Sequence, residues 1–289
     1  MNTFLLATQT ELLRALQICE SLSTLALSQE VQSLFSHVSL RLSYGYGFGT
    51  LERSYYDSVE MIFYGGSELG FVTVSDFKDF PNMTVADFAI TLEDTFTDIK
   101  VCGALLFVST KDDPNPGMLH IYTTVTRNNN GSLVPPTLIQ SVKVGVGPDN
   151  VIVNKDCSIV ATANEGEGDY DDLIGLINPE GSVSILRGPF NDTSNPPSVS
   201  QVSLNKWTDE ELIDMGVHMP LSLSAMMYWN SFEGYNFSAA IETYTPAAVL
   251  EPEYLAWGRN ESKLYVNLQE NNAVVIIDVA TDEAESIHS

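Results

Sequence analysis

From His37 onward, short apolar or alternating runs are separated by turns rich in glycine or acid. Alternation over a few residues is the period of a strand with one buried face. Val38-Ser-Leu-Arg-Leu-Ser-Tyr alternates in this way. Met61-Ile-Phe-Tyr is followed by Gly66-Ser-Glu68 and then by Phe71-Val-Thr-Val. The same order recurs as Ala104-Leu-Leu-Phe-Val, Lys111-Asp112-Asp113 and Met118-Leu-His-Ile-Tyr. A third copy runs through Ile159-Val-Ala-Thr-Ala, the acidic loop from Asn164 to Asp172, and Gly181-Ser-Val-Ser-Ile-Leu. A fourth is Lys263-Leu-Tyr-Val-Asn-Leu, Gln269-Glu270-Asn271-Asn272 and Ala273-Val-Val-Ile-Ile-Asp. A strand pair that cannot bury both faces alone, and that recurs, is the mark of a propeller blade. The reading is therefore an all-β chain: a partial β-propeller of about four blade-like units over 36–289. Four are fewer than most closed propellers need, so the pattern predicts the N-terminal portion of a longer protein.

Two stretches break the pattern. Residues 188–250 start with Pro189, Pro196 and Pro197 and read as an insertion. Within it Thr208-Asp-Glu-Glu211 is a capping box with acids in the first turn, and Gly216 is a stop, which predicts a short helix. The Met- and aromatic-rich run from Met219 to Phe237 predicts a flap over the sheet body. At the other end, residues 1–35 are leucine-rich, with Leu5, Leu6, Leu12, Leu13, Leu16, Leu22 and Leu25. Glu11, Arg14 and Glu20 interrupt them, so this segment reads either as an amphipathic N-terminal helix or as an atypical leader. The nine polar residues after Ala280 read as a tail. No run is long enough for a membrane span.

Charge narrows the partners. Against 13 Lys and Arg stand 38 Asp and Glu, a net charge of −25. Nucleic acid and anionic membrane would be repelled, while cations and basic proteins would be attracted. The acid is concentrated at Asn164, Glu165, Glu167, Asp169, Asp171 and Asp172, hard oxygen donors on a backbone that contains Gly166 and Gly168. Ca²⁺ takes such ligands. The spacing is not that of an EF-hand, so the signal is one of composition, and a solvated acidic loop is the competing reading. Glu251, Glu253 and Glu270 of the fourth copy are predicted to line the same end of the ring. Gly147-Pro148-Asp149 precedes the third copy as Glu251-Pro252-Glu253 precedes the fourth. The four histidines, His37, His120, His218 and His288, are scattered, and no nucleophile elbow or phosphate loop is present. Catalysis has no sequence signature.

The chain has three cysteines. Cys102 and Cys157 each precede the first strand of successive copies; they read either as a bridge between neighbouring blades, suited to an oxidising compartment, or as two separate thiols. Asn82, Asn130, Asn191, Asn236 and Asn260 open N-x-Ser/Thr sequons.

The fourth unit, Leu264 to Asp278, resembles YVTN/WD40-like propeller repeats. More narrowly, Gly147-Pro-Asp, Ala163-Asn-Glu-Gly-Glu167, Pro179-Glu-Gly-Ser-Val183, Glu251-Pro-Glu-Tyr254 and Leu268-Gln-Glu-Asn-Asn272, in that order, are similar to the mesenchyme-specific cell-surface glycoprotein family. Its domain is also called choice-of-anchor I. The resemblance runs from about residue 40 to 280. It implies a secreted or surface-anchored propeller, linked in echinoderm and mollusc members to biomineralisation, with bacterial relatives beside phosphatase or nuclease domains. Members usually carry a secretion signal, which is not clear here, and are commonly about twice as long. The resulting expectation is an extracellular or cell-surface β-propeller glycoprotein without enzymatic activity. It would bind Ca²⁺, mineral, extracellular matrix or basic proteins. The alternatives are a phosphoesterase-associated enzyme or accessory module, and a metal-free interaction propeller.

Overall fold

In the computed structural model, residues 51–80 and 82–289 are described. The expected N-terminal helix or leader and the Val38–Tyr44 strand lie outside them. The described strands and helices belong to one compact unit, residues 49–78 with 84–289. Its described residues form four separate four-stranded antiparallel sheets.

The first sheet is β1 (Leu51–Asp57), β2 (Ile62–Ser67), β3 (Phe71–Asp76) and β4 (Thr84–Thr91), in sequence order. The second contains β5 (Thr95–Cys102), β6 (Leu105–Asp112) and β7 (Asn115–Thr123). A small hairpin, β8 (Thr126–Arg127) and β9 (Leu133–Val134), then leads to its outer strand β10 (Leu138–Val146). The third is β11 (Pro148–Val153), β12 (Ile159–Asn164), β15 (Ser182–Arg187) and β16 (Ser198–Ser203), with the hairpin β13 (Asp169–Asp171) and β14 (Gly175–Ile177) inserted between β12 and β15. Three helices follow: α1 (Asp209–Asp214), α2 (Leu223–Asn230) and α3 (Ser238–Glu242). A 3₁₀ turn, Pro246–Val249, leads to the fourth sheet, β17 (Pro252–Trp257), β18 (Lys263–Leu268), β19 (Ala273–Asp278) and β20 (Glu283–His288). Each sheet is an up-and-down meander. The first strands stand side by side, β1 by β5, β5 by β11 and β11 by β17. This is the blade order of a β-propeller, with first strands innermost.

The repeated strand pair read from the sequence is the central pair of each blade. In the third blade its burial departs from simple alternation. β15 is buried almost throughout. Val183 and Ile185 join the core shared with the fourth blade, and Leu186 joins the core shared with the second. A strand sandwiched between neighbouring blades buries both faces. Each interlayer thus forms its own core, and a third one holds Ile62, Val72, Phe96, Ile99 and Leu106 between the first two blades. Each fully buried Leu or Ile contributes roughly 1.5–3 kcal/mol. Gly66 has no side chain because a Cβ there would sit 2.0 Å from the Phe96 ring.

Two edges lie elsewhere than the sequence pattern predicts. The polar tail after Ala280 contains β20, the outer strand of the fourth blade, with Ala284 and Ile287 buried. The insertion begins later than residue 188, because Ser198–Ser203 is the outer strand of the third blade. Outer strands pair on one side and bury few side chains, so their apolar signal is thin. The helix α1 carries the capping box on Thr208 and Glu211 and anchors by the buried Leu212.

Candidate functional site

In a meander, the start of the first strand and the turn between the second and third strands lie at one end. At that end every first strand carries a bulge: between Leu51 and Ser54 in β1, Phe96 and Asp98 in β5, Pro148 and Asn150 in β11, and Pro252 and Tyr254 in β17. A bulge leaves a residue out of the ladder and re-aims its side chain. Arg53, Thr97, Asp149 and Glu253 occupy these positions. Arg53 donates to Asp149 at 2.6 Å, and its guanidinium lies 4.7 Å from the centre of the Tyr254 ring. Thr97 donates to the Pro148 carbonyl.

One residue further along, the inner strands are laced together. The buried Asp98 carboxylate accepts from Asn150 Nδ2 at 2.8 Å and from the Val151 amide at 2.9 Å. Its other oxygen accepts from the Ile99 amide at 2.8 Å and from Lys100 Nζ at 3.0 Å. Asn150 Oδ1 accepts the Leu255 amide at 3.0 Å. Three blades therefore share one hydrogen-bonded thread, which holds the bulges above it in place.

Over the bulges stand the turn acids. Asp113 comes from the β6–β7 turn, beside Lys111 near the end of β6, Glu165 and Glu167 from the loop after β12, Glu251 from the entry to β17, and Glu270 from the β18–β19 turn. The acidic loop is tied down by its backbone: Glu165 N–H donates to the Gly147 carbonyl at 2.7 Å and Gly166 N–H to that of Val146 at 3.1 Å. Gly166 has φ +66°, and a Cβ there would meet Glu180 at 2.7 Å. Lys111 Nζ lies 3.4 Å from Asp113 and 4.0 Å from Glu167. Asp113 Oδ1 is buried without a hydrogen-bond partner.

This crowding shows in the proton affinities. Burial, then repulsion from Asp149, Glu167 and Glu251, pushes Glu165 up to about 8 against the pull of Lys111. Burial and the charges of Glu270, Glu167 and Glu253 push Glu251 up to about 7. Burial raises Asp149 despite Arg53, and burial with Asp149 and Glu270 raises Glu253. Burial works against the charge of Lys111, but Asp113, Glu167 and Glu165 outweigh it and hold the ammonium firmly protonated. Burial and like charge thus favour the protonated forms of Glu165 and Glu251 at this rim.

The six predicted ligands divide. Glu165 and Glu167 belong to this rim. Asn164 is fully buried inside the blade; its Oδ1 accepts the Thr162 hydroxyl at 2.8 Å, and its Nδ2 donates to Ser184 at 2.9 Å and Ser182 at 3.1 Å. Asp169 and Asp171 lie on β13, where Asp171 Oδ1 caps the amides of Leu173 and Ile174 at 2.7 and 3.0 Å, and Asp172 is exposed in the hairpin turn. Among the described residues, no three His, Cys, Asp or Glu side chains stand close enough to hold a metal ion. The structure does bring Glu251, Glu253 and Glu270 to the same end as Glu165. Arg53, Asp98 and Asp113 were not singled out from sequence. The one legible signal was the repeated Pro148-Asp149 and Pro252-Glu253, which mark equivalent bulges.

At the opposite end, Cys102 closes β5 and Cys157 lies in the β11–β12 turn, and a disulfide joins them. Of the sequon asparagines, Asn82, Asn130, Asn191 and Asn260 are exposed. Asn236 is half-buried, with its carbonyl accepting the Leu176 amide at 2.9 Å. Among the described residues no helix is long and apolar enough to cross a membrane.

Over 160 residues the chain is 31% identical to the mesenchyme-specific cell surface glycoprotein of Strongylocentrotus purpuratus, a stretch covering 54% of this chain and 20% of that protein. The chain thus spans about a fifth of the curated relative it matches. Among solved structures it is similar to hydrazine synthase of Kuenenia stuttgartiensis, with 11% identity, 77% of this chain and 51% of that one covered, and a TM-score of 0.45. It is also similar to a β-propeller domain from Myceliophteria thermophila, with 8% identity, coverage of 78% and 55%, and a TM-score of 0.43. The choice-of-anchor I domain matches residues 52–289, from the first described blade through the last. With that match covering all four blades and the acidic rim they share, the chain belongs to the choice-of-anchor I domain family.

Proposed function

We propose that this chain is the propeller part of an extracellular or cell-surface glycoprotein, and that its acidic rim binds Ca²⁺, either free or as part of a mineral or matrix surface. The observation that carries this reading is the convergence of Asp149, Glu165, Glu167, Glu251, Glu253 and Glu270 from two blades. Burial, and then the charges of these neighbours, raise Glu165 to about 8 and Glu251 to about 7. A hard divalent cation is the species that relieves such repulsion, because it takes six to eight oxygens and displaces the retained protons. The surface location rests on family membership and on the cell-surface relative. The disulfide and the exposed sequons suit it.

The test is thermal unfolding in EDTA, in millimolar CaCl₂ and in MgCl₂. At a hundred times its Kd, a ligand of the folded state adds about 2.7 kcal/mol. A saturable rise in Tm specific to Ca²⁺, lost in Glu165→Gln together with Glu251→Gln, is expected. A transition indifferent to Ca²⁺ would refute the site.

A further inference from the structure

The rim leaves a second surface unused. The helical insertion carries Tyr228, Trp229, Phe232 and Tyr235, which are 61, 43, 45 and 49% exposed. Their rings touch one another. Tyr228 and Phe232 stand edge to face at 5.0 Å, Tyr228 and Trp229 at 5.7 Å, and Trp229 and Tyr235 are tilted at 5.6 Å. Tyr235 continues to Phe237 at 5.8 Å. Rings kept in this arrangement have not collapsed into the core; the core side of α2 is served by Met226, buried with Leu176 and Ala240.

The segment is held in shape. Asn230 Oδ1 accepts the Phe237 amide at 2.7 Å, and the Ser231 hydroxyl donates to the Tyr228 carbonyl at 2.6 Å. The Asn236 carbonyl accepts the Leu176 amide. That last bond docks the β13–β14 hairpin beside the rings. Gly175 is packed against Asn236 so tightly that a Cβ would lie 2.1 Å from its carbonyl oxygen. The hairpin turn brings the exposed acids Asp171 and Asp172 to this neighbourhood, and Glu233 is exposed within the aromatic run itself. Neither segment contains a cation: no Lys or Arg occurs between Lys155 and Arg187 or between Lys206 and Arg259.

We infer that this aromatic and acidic surface docks an arginine-rich segment of a partner protein. The charge complementarity selects the sign of the partner. Ring faces attract cations through their quadrupole, and guanidinium does so better than ammonium because it also stacks and pairs with carboxylates. The surface is fixed beforehand, so little ordering is lost on binding. This goes beyond the calcium reading, since it uses other residues and needs no metal.

The experiment titrates the full chain, in EDTA, with labelled nona-arginine, nona-lysine and nona-citrulline, following both peptide anisotropy and Trp emission. Tyr228→Ala/Trp229→Ala/Phe232→Ala keeps every charge, yet should weaken nona-arginine roughly tenfold or more. Nona-lysine should bind more weakly, and nona-citrulline should not bind. If the triple variant loses its circular dichroism, Tyr228→Ser and Tyr235→Ser are each expected to weaken binding severalfold with the fold intact. Unchanged affinity in the aromatic variants would overturn the inference, because the rim acids alone would then hold the peptide. Equal binding of nona-citrulline would also overturn it, as would self-association of the chain that only the aromatic variants abolish.

Discussion

Replacing Glu165 by Gln is expected to stabilise the protein at alkaline pH and to do little at pH 5. Its carboxyl has an ordinary value of 4.5 and is raised to about 8 in the folded chain. Between those values the folded state holds a proton that the unfolded state has released. Stability must therefore fall as pH rises through that window and level off above it. One proton corresponds to about 1.4 kcal/mol per pH unit, so an unscreened group would cost about 4 kcal/mol between pH 5 and 8. Glu165 is only partly buried, and water screens it; a discounted loss of roughly 1–2 kcal/mol is the expectation. Gln keeps the shape and removes the charge. Urea unfolding at pH 5, 7 and 9 should give parental and variant proteins similar ΔG at pH 5. The variant should be ahead by roughly 1–2 kcal/mol at pH 9. Glu251, raised to about 7, keeps its own smaller dependence in both proteins. Equal differences at all three pH values, or a variant less stable at pH 9, would refute the crowding described for the rim.

Other consequences are as direct. Asp98→Ala strands Lys100, Asn150 and the Val151 amide and should cost roughly 3–5 kcal/mol in urea unfolding, whereas Asp98→Asn, which keeps some of these bonds, should cost less. The Cys102–Cys157 bridge closes a loop with a sequence separation of 55, so Cys102→Ser with Cys157→Ser should lose about 4 kcal/mol on the chain-entropy account. An unchanged urea midpoint would show that neighbouring blades are already fixed by packing.

Much of the fold was legible because the central strands of each blade carry a strong apolar signal. Where they are sandwiched between neighbours, as β6, β12 and β15 are, both faces are buried, while β3, β18 and β19 alternate; the pair recurs at Met61–Val74, Ala104–Tyr122, Ile159–Leu186 and Lys263–Asp278. The capping box of α1 was equally legible, because its hydrogen bonds are local and fixed by spacing. The outer strands β16 and β20 were not, since a strand paired on one side tolerates polar residues.

The site divides along the same line. Sequence alone marked where carboxylates are dense, and composition cannot say which of them face inward. It placed Asn164, Glu165, Glu167, Asp169, Asp171 and Asp172 in one set because they are neighbours along the chain. Tertiary structure separated Asn164 into the blade interior and Asp169, Asp171 and Asp172 into a hairpin. It joined Glu165 instead to Asp149, Glu251, Glu253 and Glu270, in part through bulges whose register depends on strand pairing. Strand register and blade order bring residues a hundred positions apart within reach of one another. Local sequence can specify the turn, but only the packed blades decide which charges must share it.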